Sequence, residues 1–253
     1  MGTEQHLDGG NTSGAVVRIG ETVRKPWSRS TPSVLSFVEA LRSSGIDAPQ
    51  PLGRDERGRQ IQEFVPGALA IDHLPLPTSV LVEVGALVRA IHDASEHFVP
   101  DPHAVWETAI LAPGDDLVCH NDLAPWNLIM GDRLVFIDWD SSAPSTRLWD
   151  LAYAAQTFVL SDVSIPSGQA AQSLVAFVDG YRATGSLRKR LPVTMGYRAK
   201  AMYDLLRISH ETGREPWATM FTAGHGDHWR AVTRYVGDHR SVWERALNEA
   251  VHQ

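Results

Sequence analysis

The sequence predicts an α+β chain. A small strand-rich N-terminal part surrounds one helix, and a larger, mostly helical part follows with one embedded β-hairpin. Three observations predict this. Short extended runs broken by Gly and Pro recur on either side of one helix in the first 65 residues. Apolar residues then recur at helical spacing from Thr78 onward. Between Asp115 and Asp140 the pattern returns to short β-like runs around a Gly131-Asp132-Arg133 turn signal.

The elements follow in order. Ala15 to Ile19 is a short strand, Gly20-Glu21 a turn, and Thr22 to Lys25 a second extended run that ends at Pro26. Ser30-Thr31-Pro32 reads as a helix start, because proline is tolerated where the first amides lack partners anyway. Val34, Leu35, Val38 and Leu41 then repeat at helical spacing, and Gly45 stops the helix. Arg59 to Val65 is a further strand, broken by Pro66-Gly67, which marks the boundary between residues 1–66 and 67–253. Val80, Val84, Leu87, Val88 and Ile91 place one amphipathic helix over 78–94. Leu117 to Cys119, Leu128 to Met130 and Leu134 to Ile137 are strands, the last two forming the hairpin. Helices are expected over 149–160, 168–184, 192–212 and 227–250.

Composition excludes several classes. The formal net charge of −7 argues against nonspecific nucleic-acid binding, which needs a positive surface. No run approaches the eighteen or so apolar residues of a membrane span, and Met1 to Asn11 lacks the basic and apolar regions of a secretory signal. With the single cysteine, Cys119, no intramolecular disulfide can form, so the expectation is a soluble, cytoplasmic chain with no nucleic-acid or membrane partner.

The chemistry concentrates in two segments, His120-Asn-Asp-Leu-Ala-Pro-Trp-Asn127 and Phe136-Ile-Asp138-Trp-Asp140. If Asn127 opens the first hairpin strand and Asp138 closes the second, antiparallel pairing brings their side chains together. Such an oxygen-rich set suits a hard cation such as Mg²⁺ rather than zinc. The Asp122 to Asn127 spacing matches the kinase catalytic loop, with Asn121 where that loop has arginine. A carboxylate at Asp122 can take a hydroxyl proton, while Asn127 and Asp138 can hold Mg²⁺ across phosphates. Asp140 suits a metal, a water or nearby backbone equally.

These motifs resemble the aminoglycoside phosphotransferase and choline kinase superfamily, which has the two-lobed protein-kinase-like fold. Arg147 to Ala152, Val16 to Lys25, Gln62 to Gly67 and Leu87 to Asp93 extend the resemblance over most of residues 9 to 160. The resemblance implies a kinase of small hydroxylated acceptors, aminoglycosides and other antibiotics among them, that uses ATP or GTP with Mg²⁺. Residues 1–66 would be the nucleotide-binding lobe and 67–253 the catalytic and acceptor-binding lobe. Asp122 would be the catalytic base, Asn127 and Asp138 the metal ligands, and His120 a support of the loop. Gly10 and Gly14, within Gly9 to Gly14, would belong to the loop that covers the phosphates. Glu63, Phe64 and Val65 would offer backbone hydrogen bonds to the purine. Arg24 and Lys25 are both available to contact the phosphates, with Lys25 favoured. The acid expected to pair with this lysine has only Glu39 and Glu21 as nearby candidates.

Plainer readings cover the rest. His225-Gly-Asp-His228 reads as a loop with Asp227 as helix N-cap, not a metal site, because it lacks an i,i+4 histidine pair. Trp217, Trp229 and Trp243 read as core, Asp204, Glu211 and Glu215 as a solvated helix face, and Asp150 as a brace of the loop or a cap. Two other functions compete with a kinase: a non-catalytic ligand-binding or immunity-type protein that keeps the fold, and a metal-dependent hydrolase.

Overall fold

The computed structural model describes residues 3–7 and 16–249. Two compact units emerge. The first comprises residues 1–74, 91–108 and 117–144, and the second 75–90, 109–116 and 145–253. Residues 117–144, with the loop and hairpin, therefore group with the N-terminal sheet.

In the first unit a five-stranded sheet has the order β1-β2-β3-β5-β4. Its strands are β1 (Gln5–His6), β2 (Val17–Ile19), β3 (Thr22–Lys25), β4 (Pro51–Arg54) and β5 (Gln60–Glu63). β3 and β5 are antiparallel with Lys25 opposite Gln60. Between β3 and β4 lies α1 (Thr31–Ser43), which starts with proline in its first turn and buries Val34, Phe37, Val38 and Leu41. Gly45, at φ +87°, ends it, and the Ile46 amide returns to the Leu41 carbonyl at 3.0 Å.

Beyond β5 the chain turns at Pro66-Gly67. Gly67 has φ +146°, and a Cβ there would lie 2.5 Å from Ile129 Cγ2 and 2.8 Å from the Met130 carbonyl, so no larger residue fits. That closeness lets β6 (Ala68–Leu69) pair with the hairpin. α2 (Thr78–Ser95) follows, its residues from Ile91 belonging to the first unit. β7 (Leu117–Cys119) is wholly buried, and β8 (Leu128–Met130) and β9 (Leu134–Phe136) form the expected hairpin, with Leu128 opposite Phe136. Val65, Ile129 and Val135 pack together with Leu69 and Ile137. Each such side chain contributes about 1.5–3 kcal/mol when taken fully out of water. At the hairpin tip Arg133 reaches Asp47 at 2.9 Å and Glu63 at 2.6 Å. Phe37 packs on Phe98 and Trp139. A short strand, β10 (Ala143–Ser145), follows.

The second unit is helical: α3 (Arg147–Val159), α4 (Ser167–Gly180), α5 (Gly185–Thr212), α6 (Trp217–Met220), α7 (Gly226–Asp238) and α8 (Arg240–Glu249). α3 is capped by Thr146, whose hydroxyl accepts from the Trp149 amide at 3.1 Å, so the cap is not Asp150, which sits buried in the first turn. Asp227 likewise falls in the first turn of α7 rather than at its cap. The single helix expected over 227–250 is two, divided at His239. Trp229 and Trp243 are core, and the Trp243 indole donates to the Val236 carbonyl at 3.0 Å. Trp217 is only half-buried, under the Arg214 guanidinium. Asp204 and Glu211 pair along the surface of α5 with Lys200 and Arg207. α2 and α4 cross closely in this unit. A Cβ on Gly85 would lie 2.1 Å from the Phe177 carbonyl, and one on Gly180 would lie 2.1 Å from the Val82 carbonyl. Among the described residues no helix is long and apolar enough to cross a membrane.

Candidate active site

The site is built by two segments of the first unit that leave buried strands. β7 delivers His120, which is fully buried. Its Nδ1 accepts from the Asp122 amide at 3.2 Å, so the ring proton resides on Nε2, which donates to the Ile137 carbonyl at 3.1 Å. One imidazole thereby fixes both the amide of Asp122 and the carbonyl just before Asp138. Its ring also packs on Trp139, centroids 4.5 Å apart.

Leu123 and Ala124 anchor the loop in the core, and Pro125 opens a 3-10 turn that ends at Asn127. Asn127 is 4% exposed. Its amide nitrogen donates to the Asp122 carboxylate at 2.8 Å and to the Asp122 carbonyl at 3.0 Å. The planar amide then leaves the Asn127 oxygen as the group able to ligate a cation. The Asn127 carbonyl accepts from the Ile137 amide at 2.8 Å, so the start of the hairpin's first strand lies beside the end of its second.

Asn121 and Asp138 both adopt left-handed backbone, φ +63° and +62°. Asn and Asp reach that region at less cost than other non-glycine residues. The turn at Asn121 lets its side-chain amide donate to the carbonyls of Ser141 at 3.3 Å and Ala143 at 3.2 Å. Where the kinase loop carries arginine, this chain therefore has a staple between the loop and the segment after the hairpin.

Lys25 ends β3 with its side chain 6% exposed. Its ammonium pairs with Asp138 Oδ1 and lies 2.6 Å from Asp140 Oδ2. Burial alone would lower the lysine's proton affinity, but the carboxylates of Asp138 and Asp140 outweigh it and hold the ammonium well above the ordinary lysine range. Arg24, one residue earlier, takes the other face of the strand. It donates to Thr22 Oγ1 at 2.7 Å and approaches Asp55 at 3.7 Å. Strand alternation thus turns Lys25, not Arg24, toward the aspartates. Neither acid considered as its partner is there: Glu39 is exposed, and Glu21 pairs with Arg18 at 3.2 Å.

In the expected hinge, the Glu63 amide donates to the Gln50 carbonyl at 2.9 Å and the Phe64 amide to the Glu21 carbonyl at 3.0 Å. Hydrogen bonds to a purine from this stretch would have to come from its other backbone groups. Val65 is buried in the hairpin core, and the Phe64 ring lies under Arg18 at 3.6 Å. The Glu63 carboxylate bonds the Gln50 amide at 3.0 Å as well as Arg133. Gly10 and Gly14 lie outside the described residues.

Sequence reasoning missed Gln60 and the role of Asn121. Gln60, 1% exposed, extends its amide to the Pro26 carbonyl at 3.1 Å and to Asp140 Oδ1 at 3.4 Å. A polar residue at an inward position of the Gln60-Ile61-Gln62-Glu63 strand was the available signal.

The donor set fits a hard divalent cation. The Asn127 amide oxygen and the Asp138 and Asp140 carboxylates are hard donors, and the two carboxylates already surround a positive charge.

The family model of the Phosphotransferase enzyme family matches residues 104–190. A trifolitoxin immunity protein of Rhizobium leguminosarum bv. trifolii is 31% identical over 163 residues, which make up 61% of this chain and 61% of that protein. The chain thus spans less than two thirds of the length of that curated relative. Among solved structures, a choline/ethanolamine kinase family protein from Mesorhizobium loti has a TM-score of 0.65 at 15% identity, over 98% of this chain and 93% of that one. An amicoumacin kinase, solved with AMP-PNP, Ca²⁺ and Ami, has a TM-score of 0.67 at 14% identity, over 93% and 88%. At such identities the likeness is one of fold. Residues 104–190 carry the phosphotransferase family's pattern, and the chain has the kinase-like fold of these solved structures.

Proposed function

We propose that this chain is a small-molecule kinase that moves the γ-phosphoryl group of ATP or GTP onto a hydroxyl of a small polar acceptor, with antibiotics among the candidate acceptors. The observation that carries the reading is the bonded pair Asp122–Asn127 beside the Asp138–Lys25–Asp140 cluster within one compact unit. The family pattern over 104–190 and the AMP-PNP complex of the amicoumacin kinase support it.

In this reading Asp122 orients the acceptor hydroxyl and takes its proton as the oxygen–phosphorus bond forms. Asn127 steadies the Asp122 carboxylate through the 2.8 Å hydrogen bond and, with Asp138, would hold the divalent ion. Bound there, Mg²⁺ supplies neutralisation of the phosphate charge. Lys25 would contact the α- and β-phosphates, backbone of Glu63 to Val65 the purine, and Gly10 and Gly14 the phosphate-covering loop. His120 holds the geometry without touching substrate.

One observation favours a second reading. A curated relative is named an immunity protein, which suits the alternative of a non-catalytic ligand-binding or immunity-type protein. Thermal-shift titration with ATP, GTP and Mg²⁺, followed by phosphate transfer to a panel of aminoglycosides, other antibiotics, amino alcohols and sugars, separates the two. Transfer that Asp122→Ala abolishes supports the kinase. Ligand stabilisation without nucleotide response or transfer supports sequestration.

A further inference from the structure

The helix that would be expected to supply an acidic partner for the strand lysine leaves that place unfilled. Glu39 is the one acid in α1, and it is exposed. Lys25 instead meets two aspartates, and these are not equivalent. Asp138 stands at the end of the hairpin in left-handed backbone. Asp140 lies in the 3-10 turn Trp139–Ser141, and both of its oxygens face the sheet. Oδ2 takes the Lys25 ammonium at 2.6 Å, and Oδ1 takes the Gln60 amide at 3.4 Å.

Lys25 and Gln60 are cross-strand partners on β3 and β5, so the two groups that reach Asp140 stand side by side. Gln60 is itself fixed. Its amide nitrogen donates to the Pro26 carbonyl at 3.1 Å, and its oxygen accepts from Gln62 at 2.7 Å. The sheet thus presents Asp140 with a prepared seat.

We propose that Asp140 is the permanent counter-ion of Lys25, filling the part that α1 leaves open, while Asp138 exchanges the ammonium for a divalent cation when nucleotide binds. Asp140 is then a positioning residue, not a metal ligand. The exchange rests on the kinase reading; the Lys25–Asp140 pairing does not.

Double-mutant cycles on unfolding midpoints test it, using Lys25→Met, Asp140→Asn and Asp138→Asn in the ligand-free protein and again with Mg²⁺ and AMP-PNP. Without ligand, Lys25 should couple to both aspartates, the double variants losing less than the sum of the singles. With Mg²⁺ and AMP-PNP, the Lys25–Asp140 coupling should persist and the Lys25–Asp138 coupling should fall away. Asp138→Asn should lose the Mg²⁺-dependent midpoint shift given by AMP-PNP, whereas Asp140→Asn keeps it. Asp140→Glu, which retains the charge, should keep the coupling and guards against a variant that merely folds poorly. Additive behaviour of Lys25 and Asp140, or loss of the Mg²⁺-dependent shift in Asp140→Asn to the extent seen in Asp138→Asn, overturns the proposal. A wild-type chain that shows no response to Mg²⁺ and AMP-PNP would instead reject the kinase reading and the exchange, leaving the ligand-free cycle to decide the pairing.

Discussion

Gly85→Ala is a substitution whose sign the structure reverses. In an ordinary helix, replacing glycine by alanine stabilises by up to about 1 kcal/mol. At Gly85 of α2 the new Cβ would stand 2.1 Å from the Phe177 carbonyl oxygen and 2.8 Å from the Tyr181 nitrogen. The first is more than 1 Å short of ordinary contact, and both obstacles are backbone, of α4 and of the residue that follows it, so no side chain can swing aside. One helix must move, opening the packing that Gly180 makes against Val82 from the other side. Overpacking of this kind costs about 1–3 kcal/mol or more. With the cost at the top of that range, because both obstacles are backbone, a net loss of about 2 kcal/mol remains after the propensity gain, or a fall in Tm of roughly 4–8 °C for a chain of this size. The assay is thermal unfolding followed by far-UV circular dichroism, with Gly196→Ala as control. Gly196 lies within α5 and has nothing within 4 Å of its virtual Cβ, so that variant should hold or raise Tm. Equal or higher Tm in Gly85→Ala would refute the close-crossing argument.

Other outcomes follow from the site and its supports. Asp122→Ala should lower phosphate transfer by about 10²-fold or more, the scale of a positioned acid–base group, while nucleotide still shifts the unfolding midpoint; full turnover would dismiss Asp122 as the base. His120→Ala removes the ring that holds the Asp122 amide and the Ile137 carbonyl, so kcat should fall well beyond any change in KM, and equal changes in both would contradict a purely positioning role. Glu63 is partly buried, which raises a carboxyl's pKa, but the Gln50 amide and the Arg133 and Arg42 guanidinium groups prevail and hold it below the usual glutamate value. Its pairing therefore stabilises the fold above about pH 4.3 and is lost as pH falls through the depressed folded value. Glu63→Gln should cost about 1–2 kcal/mol at neutral pH by denaturant titration, and the gap to wild type should close below that window.

Much of the fold was legible because its signals are local. Pro32 and Gly45 bracket α1, and Gly131-Asp132-Arg133 turns the hairpin where alternation said it would. β6 escaped notice because two residues carry no periodicity; it forms only because Gly67 lets the chain approach Ile129 and Met130. The break at His239 escaped because the apolar pattern runs across it. Within the site, the loop and hairpin motifs name Asp122, Asn127 and Asp138, whose side chains the fold gathers into one unit. The choice between Arg24 and Lys25 needed the orientation of β3, which a four-residue strand ending at proline does not reveal. Gln60 was invisible for a different reason: its partners, Pro26 and Asp140, are distant in sequence and become neighbours only through the β3–β5 register.

The left-handed backbone at Asp138 has a consequence for evolution and engineering alike. An aspartate held there raises the energy of the folded chain by about 1 kcal/mol relative to glycine, which would adopt the same turn without strain. Glycine would relieve that strain, but it would also strip a carboxylate from the buried Lys25 ammonium, and breaking a buried pair costs more than the strain returns. Any thermostabilisation campaign on this scaffold should hold position 138 fixed, because the strain relieved there is outweighed by the ion pair removed.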